Sequence, residues 1–223
     1  MKSPVFFQAL EEELGPVLKY LSGHVLNAGC GERDLTALFK ENGAAAVGNC
    51  DRRSSIPGAI LCDLIDVPVA SATYDAIVCN AVMEHVQFPD LVMKELRRLL
   101  KPGGHLILCI PFLQPYHPRP DYRRYTMEGM NELARLHEFD VIEVLPVHNI
   151  AQTITWITWS FLEEKRKRFL QLLLWAPFYL WNRFCPGTDF NLKLQANSFQ
   201  AVLRKPAHQH HLDEQPAGLE VLA

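Results

Sequence analysis

Residues 24–34, with the sequence HVLNAGCGERD, decide the fold of this chain. The run 24–28 is apolar enough for a short buried strand, and it leads directly into Gly29-Cys30-Gly31. Glycines at such a turn let the backbone approach a ligand, and the start of a following helix points N–H groups at it. Asp34 can cap that helix, which we expect to end near Glu41. The segment therefore predicts a nucleotide site in an α/β protein.

Further strands follow at a regular pace, and two of them end at an acid. Helices predicted at 5–21, 89–100 and 126–137 alternate with them, which favours βαβ units and a parallel sheet. Asp51 ends the second strand and Asp63 the third. Both acids should border the crevice beside the glycine turn, where an acid can accept hydrogen bonds from ribose hydroxyls. The predicted strands after the first are 44–50, 59–62, 74–80 and 105–110.

After Asp140 the regular alternation of strands and helices ends. Strands are predicted at 141–147 and 198–203, and a Trp- and Leu-rich insertion of about residues 148–197 lies between them. We expect residues 1–206 to form one domain that includes this insertion. The tail 207–223 has little core-forming content and is expected to be disordered.

Composition excludes some classes of partner. The formal net charge is -3 and the sequence pI is about 6.3, so no basic field would gather a phosphate backbone, and we expect no nucleic-acid partner. The six cysteines are scattered without a close pair, which favours buried thiols in a reducing compartment over disulfides or a metal site. The N-terminus turns acidic too early for a secretory signal, and we expect a cytoplasmic location.

Five motifs in order resemble those of class I S-adenosylmethionine-dependent methyltransferases, between about Leu21 and Phe139. The resemblance implies an α/β fold with a Rossmann-like, mostly parallel seven-stranded sheet, helices on both faces and a final antiparallel hairpin. It also implies S-adenosylmethionine as cofactor and a methyl acceptor. The motifs are VLNAGCG at 25–31, GNCD ending at Asp51, CDL at 62–64, YDAIVCNAVMEHV at 74–86 and LKPGGHLILCIPF at 100–112.

The resemblance and the predicted crevice together indicate the cofactor-binding residues. One of them departs from the family, which usually has an acid at the position of Asn27 to hold the methionine amino group. Asn27 offers an amide oxygen without charge, so we expect a lower cofactor affinity. Arg33 replaces the third glycine of the family's loop. The predicted cofactor-binding residues are Asn27, Ala28, Gly29, Cys30, Gly31, Asp51, Arg52, Asp63, Leu64, Asn80 and Ala81.

Three residues are candidates for catalysis. The loop 111–126 leaves the sheet at the crevice, is rich in His, Tyr, Arg and Asp, and is stiffened by prolines. His117 is the first candidate for a general base because an ordinary histidine pKa lies near working pH, and Asp121 would orient it or act itself. His85, after the fourth strand, is a second candidate. The alternative is that these side chains satisfy backbone groups of their loops.

The insertion admits four interpretations: extra core packing, a lid over an apolar pocket, a dimer contact, or peripheral membrane contact through 156–181. The sequence has no nucleic-acid-binding signature and its insertion is apolar. Both features favour a small-molecule acceptor such as a sugar, lipid or other metabolite.

Two further functions remain open. A degenerate methyltransferase-like module that binds a protein partner would explain Asn27. An NAD-dependent oxidoreductase is the other, although Asp34 stands where a dinucleotide site usually needs its third glycine.

Overall fold

A computed structural model describes residues 10–116, 120–148, 152–154, 156–158, 168–184 and 196–207. Its strands form one seven-stranded sheet in the order β3-β2-β1-β4-β5-β7-β6. β7 runs antiparallel to both of its neighbours and the remaining pairs are parallel, which confirms the predicted fold class. The strands are β1 (Gly23–Ala28), β2 (Ala44–Asp51), β3 (Ile60–Leu61), β4 (Tyr74–Asn80), β5 (Leu100–Pro111), β6 (Asp140–Val147) and β7 (Ser198–Arg204).

The described part of the chain also contains helices of very different length. The predicted helix 5–21 is interrupted, because Pro16 has no N–H to donate and a tighter 3-10 turn, Gly15–Tyr20, takes over there. A second 3-10 turn, Met83–His85, follows β4. The α-helices are α1 (Leu10–Leu14), α2 (Thr36–Glu41), α3 (Pro89–Leu99), α4 (Met127–Leu136) and α5 (Arg168–Phe184).

The core lies on both faces of the sheet, because successive strand residues point to opposite sides. In β1, Leu26 packs with α3 and α4, whereas Val25 packs with the N-terminal segment and α2. In β5, Leu106 and Leu108 join the first of these layers and Ile107 the second. The central strands are therefore apolar throughout, which is why the sequence shows them as continuous hydrophobic runs.

β6 and β7 form a hairpin whose connection is the predicted insertion. Val147 pairs with Ser198, and the Asn197 N–H donates to the Val147 carbonyl at 3.0 Å. The two ends of the insertion are thus adjacent at the end of the sheet. About half of the insertion (149–151, 155, 159–167 and 185–195) and residues 208–223 of the predicted tail lie outside the described residues.

An ion pair on α3 fixes the loop between β3 and β4. Glu95 and Arg98 form two contacts of 2.7 Å, and the Glu95 carboxylate also accepts the Val67 N–H at 2.7 Å. Arg98 donates in turn to the carbonyls of Val67 and Val69 at 3.0 and 2.8 Å. The loop that begins beside Asp63 is therefore held by one side-chain pair.

We predict that Glu95→Ala lowers the free energy of unfolding by about 2 kcal/mol, because it leaves the Val67 N–H and the Arg98 guanidinium without their shared acceptor. Arg98 holds the pKa of Glu95 below its ordinary value of 4.5. A depressed folded pKa means that the pair stabilises the fold fully above that value and progressively less as the pH falls through the folded pKa. Urea unfolding of both proteins at pH 7 and at acidic pH measures this difference.

The control is Glu132→Ala, which breaks a Glu–Arg pair of the same spacing on α4. There both side chains are more than half exposed, and we expect a much smaller loss because solvent screens the pair. Equal losses from the two variants would contradict the role given to Glu95.

Candidate functional site

The turn after β1 is tied to the carboxyl end of β2. The N–H groups of Gly29 and Cys30 both donate to the Cys50 carbonyl, at 2.8 and 3.0 Å. The Asp51 carboxylate accepts the Gly31 N–H at 2.9 Å through Oδ2 and the Arg53 N–H at 2.8 Å through Oδ1. The glycine turn and the predicted ribose-binding acid thus form one hydrogen-bonded unit.

Gly29 also allows the turn to approach the loop after β4. Its φ is +74°, and a Cβ added there would lie 2.4 Å from Cγ2 of Val82. A side chain at this position would be strained and would collide with Val82. The contact brings together the carboxyl ends of β1 and β4, where the strand order of the sheet reverses and open α/β sheets bind ligands.

The side chain of Asn27, in β1, helps to hold this turn in place. This side chain is buried, and its amide donates to the Arg33 carbonyl at 3.1 Å and to Asn49 Oδ1 at 3.0 Å. The amide group therefore holds the loop at Arg33 and the neighbouring strand β2 at Asn49. The predicted contact of Asn27 with a methionine amino group stays a prediction.

A first cavity of about 320 Å³ opens beside the glycine turn and β2. It brings together six of the predicted cofactor-binding residues, while Ala28, Cys30 and Gly31 form the adjoining backbone. Sequence reasoning missed the apolar wall after β4, since a 3-10 turn there has no distinct sequence pattern. The lining residues include Gly29, Asp51, Arg52, Asp63, Leu64 and Ala81, together with the unpredicted Ile65, Val82, Val86, Gln87, Phe88, Pro120 and Tyr122.

The two acids at the rim, half-buried Asp51 and exposed Asp63, differ in how they are held. Asp63 Oδ1 accepts the Ile65 N–H at 3.2 Å, and Arg52 lies 3.9 Å from the other carboxylate oxygen. Asp51, by contrast, has a backbone donor on each oxygen. Asp51 is therefore the better fixed acceptor, and Asp63 has more freedom to turn toward a ligand.

A second cavity of about 490 Å³ lies at the carboxyl ends of β4 and β5 and the start of β7. It meets the first cavity at Ala81, a residue of both linings whose φ of +54° turns the chain sharply away from β4. Its wall mixes polar side chains with apolar ones such as Leu10, Ile110 and Trp156. The polar and charged lining residues are Glu13, Arg33, Asn80, Glu84, Gln114, His148, Asn197 and Ser198.

Two titratable side chains face each other in the second cavity. His148 Nε2 lies 3.9 Å from Glu13 Oε2, and the Cys109 thiol donates to the other Glu13 oxygen at 3.6 Å. Burial lowers the pKa of His148 to about 4, so its imidazole is neutral near pH 7. Burial also raises the pKa of Glu13 above its ordinary value. Sequence reasoning missed this pair because its members come from opposite ends of the domain and neither belongs to a motif.

Two of the three predicted catalytic residues, His85 and Asp121, belong to the described part of the chain, and their side chains have different partners. His85 lines the first cavity, with Nδ1 at the Pro120 carbonyl and Nε2 3.7 Å from the buried Glu84. Asp121 is almost fully buried and receives Arg124 Nη2 at 2.7 Å. In this geometry Asp121 holds its own loop together. His117 lies outside the described residues, so its predicted role as a base stays a prediction.

Comparison with known proteins identifies the family. A sequence profile described as a methyltransferase domain matches residues 6–203. The chain is 32% identical over 76 residues to demethylmenaquinone methyltransferase of Streptomyces avermitilis, covering 33% of this chain and 32% of that protein. It is 28% identical over 96 residues to the ubiquinone biosynthesis O-methyltransferase of Pectobacterium atrosepticum, covering 37% and 40%. The chain thus spans less than half the length of these two relatives.

Solved structures share the fold. The 1,6-didemethyltoxoflavin-N1-methyltransferase of Burkholderia thailandensis, with bound S-adenosylhomocysteine, has a TM-score of 0.57 and 17% identity over 88% of this chain and 79% of that one. The phosphoethanolamine N-methyltransferase 2 of Haemonchus contortus, in complex with S-adenosylmethionine, has a TM-score of 0.57 and 15% identity over 90% and 53%. Since the profile covers most of the chain, this protein belongs to the methyltransferase domain family, and the resemblance to class I S-adenosylmethionine-dependent methyltransferases is confirmed.

Proposed function

We propose that this chain binds S-adenosylmethionine in the first cavity and transfers its methyl group to a small molecule held in the second. The observation that carries the proposal is the meeting of the two cavities at Ala81, at the end of β4. A methyl donor and an acceptor must touch at one point, with the attacking atom in line with the sulfur–methyl bond. Two cavities that share one residue provide such a point.

The first cavity suits the nucleoside end of the donor. Each Asp51 oxygen that accepts a backbone N–H keeps a second lone pair, which is available to a ribose hydroxyl. Asp63 and Leu64 also line this cavity, where they would contact the adenine. Gly29 has no side chain, so the backbone can approach the remainder of the ligand. We assign cofactor binding to these residues, to Arg52 and Ala81, and to Asn80, which lines the second cavity beside Ala81.

The second cavity suits a polar acceptor of modest size, since about 490 Å³ falls within the usual range for small-molecule sites. An acceptor hydroxyl or protonated nitrogen must lose a proton as it attacks the methyl group, while the carbon–sulfur bond breaks and S-adenosylhomocysteine leaves. His148 is neutral and can take that proton, and Glu13 would stabilise the resulting imidazolium. We therefore propose His148 as the proton acceptor, in place of His85, which lines the first cavity.

We predict that Asp51→Asn weakens binding of S-adenosylhomocysteine at least about tenfold, because hydrogen bonds from the ribose to a charged acceptor are replaced by bonds to a neutral amide. Isothermal titration calorimetry measures this loss. Asp66→Asn is the matched control, because Asp66 is an exposed acid of the neighbouring loop.

A second control separates the two cavities. His148→Gln should bind S-adenosylhomocysteine as the wild type does, since His148 lines the second cavity. Failure of the folded wild type to bind the nucleotide at all would reject the proposed function and favour a partner-binding module. A His148→Gln variant that loses nucleotide binding would reject the division of roles between the cavities.

We predict that His148 makes stability depend on pH. Its folded pKa of about 4 lies below the ordinary value of 6.5, so between these values the unfolded chain binds a proton that the folded chain does not. Stability contributed by the neutral imidazole is then complete above pH 6.5 and falls on acidification, by about 1.4 kcal/mol per pH unit within the window.

Urea unfolding at pH 7, 6 and 5 measures this slope, and His148→Gln should make it shallower. Equal slopes in the two proteins would show that the His148 imidazole is not held neutral by the fold.

A further inference from the structure

α5 presents large apolar side chains to solvent. The exposed fractions are 79% for Phe169, 58% for Leu173 and 72% for Phe184. At 3.6 residues per turn, the exposed apolar positions share one side of the helix and cover an arc of about 140°. The set, which we call the α5 apolar face, is Phe169, Leu170, Leu173, Leu174, Leu180, Trp181 and Phe184.

The α5 apolar face is not smooth. An open depression of about 520 Å³ lies along it, lined by Phe169, Leu173, Ala176, Pro177 and Leu180. Flexible acyl chains or another shallow apolar surface would fill such a depression. These exposed side chains do not add to the core. A contiguous apolar surface of this kind marks an interaction site, unlike single apolar residues scattered over a protein surface.

The sequence around the α5 apolar face is cationic. Lys165, Arg166 and Lys167 directly precede Arg168, the first residue of α5, and Arg183 lies near its end. Residues 165–188 contain no Asp or Glu, although the formal net charge of the whole chain is -3. Even with Glu163 and Glu164, which precede this run, residues 163–188 carry a formal net charge of +3.

We propose that α5 and the preceding basic run bind in the plane of an anionic membrane surface. The apolar side chains would enter the boundary between headgroups and acyl chains, and the basic residues would meet lipid phosphates. Among the described helices, none is long and apolar enough to cross a bilayer. This inference stands apart from the proposed methyl transfer, because it rests on α5 and its flanking charges.

Charge complementarity favours a lipid surface over a second copy of this chain. A two-fold contact places the same patch on both partners. Each copy would therefore bring residues 163–188, in which five basic residues outnumber Glu163 and Glu164, to the contact. Like charges across such a contact cost free energy, whereas an anionic surface attracts them at about 1 kcal/mol per Lys or Arg.

The test is co-sedimentation of the full chain with phosphatidylcholine vesicles, with and without phosphatidylglycerol. We expect strong pelleting with phosphatidylglycerol at low salt, release by salt, and weak pelleting with phosphatidylcholine alone. The double variant Leu173→Glu/Leu180→Glu should bind at least about tenfold more weakly. Replacement of residues 165–168 by glutamine should weaken binding to the anionic vesicles at least about tenfold, without changing binding to neutral ones.

The matched control is Leu136→Glu, which places the same charge at a leucine 59% exposed on α4 and should bind as the wild type does. Binding of S-adenosylhomocysteine or the circular dichroism spectrum shows that each variant is folded. Absence of wild-type pelleting at low salt, or unchanged pelleting of the double variant, would overturn the proposal. A dimer that Leu173→Glu/Leu180→Glu dissociates, without vesicle binding, would assign the α5 apolar face to a protein contact instead.

Discussion

The rest of the site depends on the hydrogen bonds that tie the turn after β1 to the end of β2. The Cys50 carbonyl receives two N–H groups of the turn, and the Asp51 carboxylate receives a third. These bonds require the left-handed backbone of Gly29, which a residue with a Cβ would adopt only under strain and against Val82. Because the turn is held here, Gly29 borders the first cavity and Arg33, four residues later, borders the second.

Local chemistry determined how well each element could be predicted. β4 is found at its predicted residues, since its apolar run has clear limits, and Thr126 caps α4 as expected by accepting the Gly129 N–H at 3.0 Å. β5 is longer than predicted, because its first residues pair outside any hydrophobic run; the Gly103 N–H, for instance, donates to the Lys205 carbonyl. A local sequence pattern carries no information about pairing partners that are distant in the sequence.

In the functional site, too, local sequence patterns predicted some residues, whereas others are brought together only by tertiary packing. The acids at strand ends could be predicted because parallel strands end at one edge, whereas Glu13 and His148 meet through packing of the N-terminal segment against the end of β6. The position of Asn27 was predictable, but its bonds to Arg33 and Asn49 depend on a loop conformation that the sequence does not specify. A residue's neighbourhood in three dimensions decides whether it faces a ligand or holds the backbone.

Because β6 and β7 form a hairpin, the long connection between them can be exchanged without changing the two strands. The connection begins and ends at paired residues, Val147 and Ser198, so its length places little demand on the sheet. Loop closure costs grow only slowly, by about 0.6 kcal/mol for each doubling of length, so natural or engineered chimaeras can exchange the whole connection without new strand register. Such an exchange would replace His148 and Trp156 of the second cavity together with α5. If both proposals hold, acceptor choice and surface attachment are inherited as one unit in this architecture.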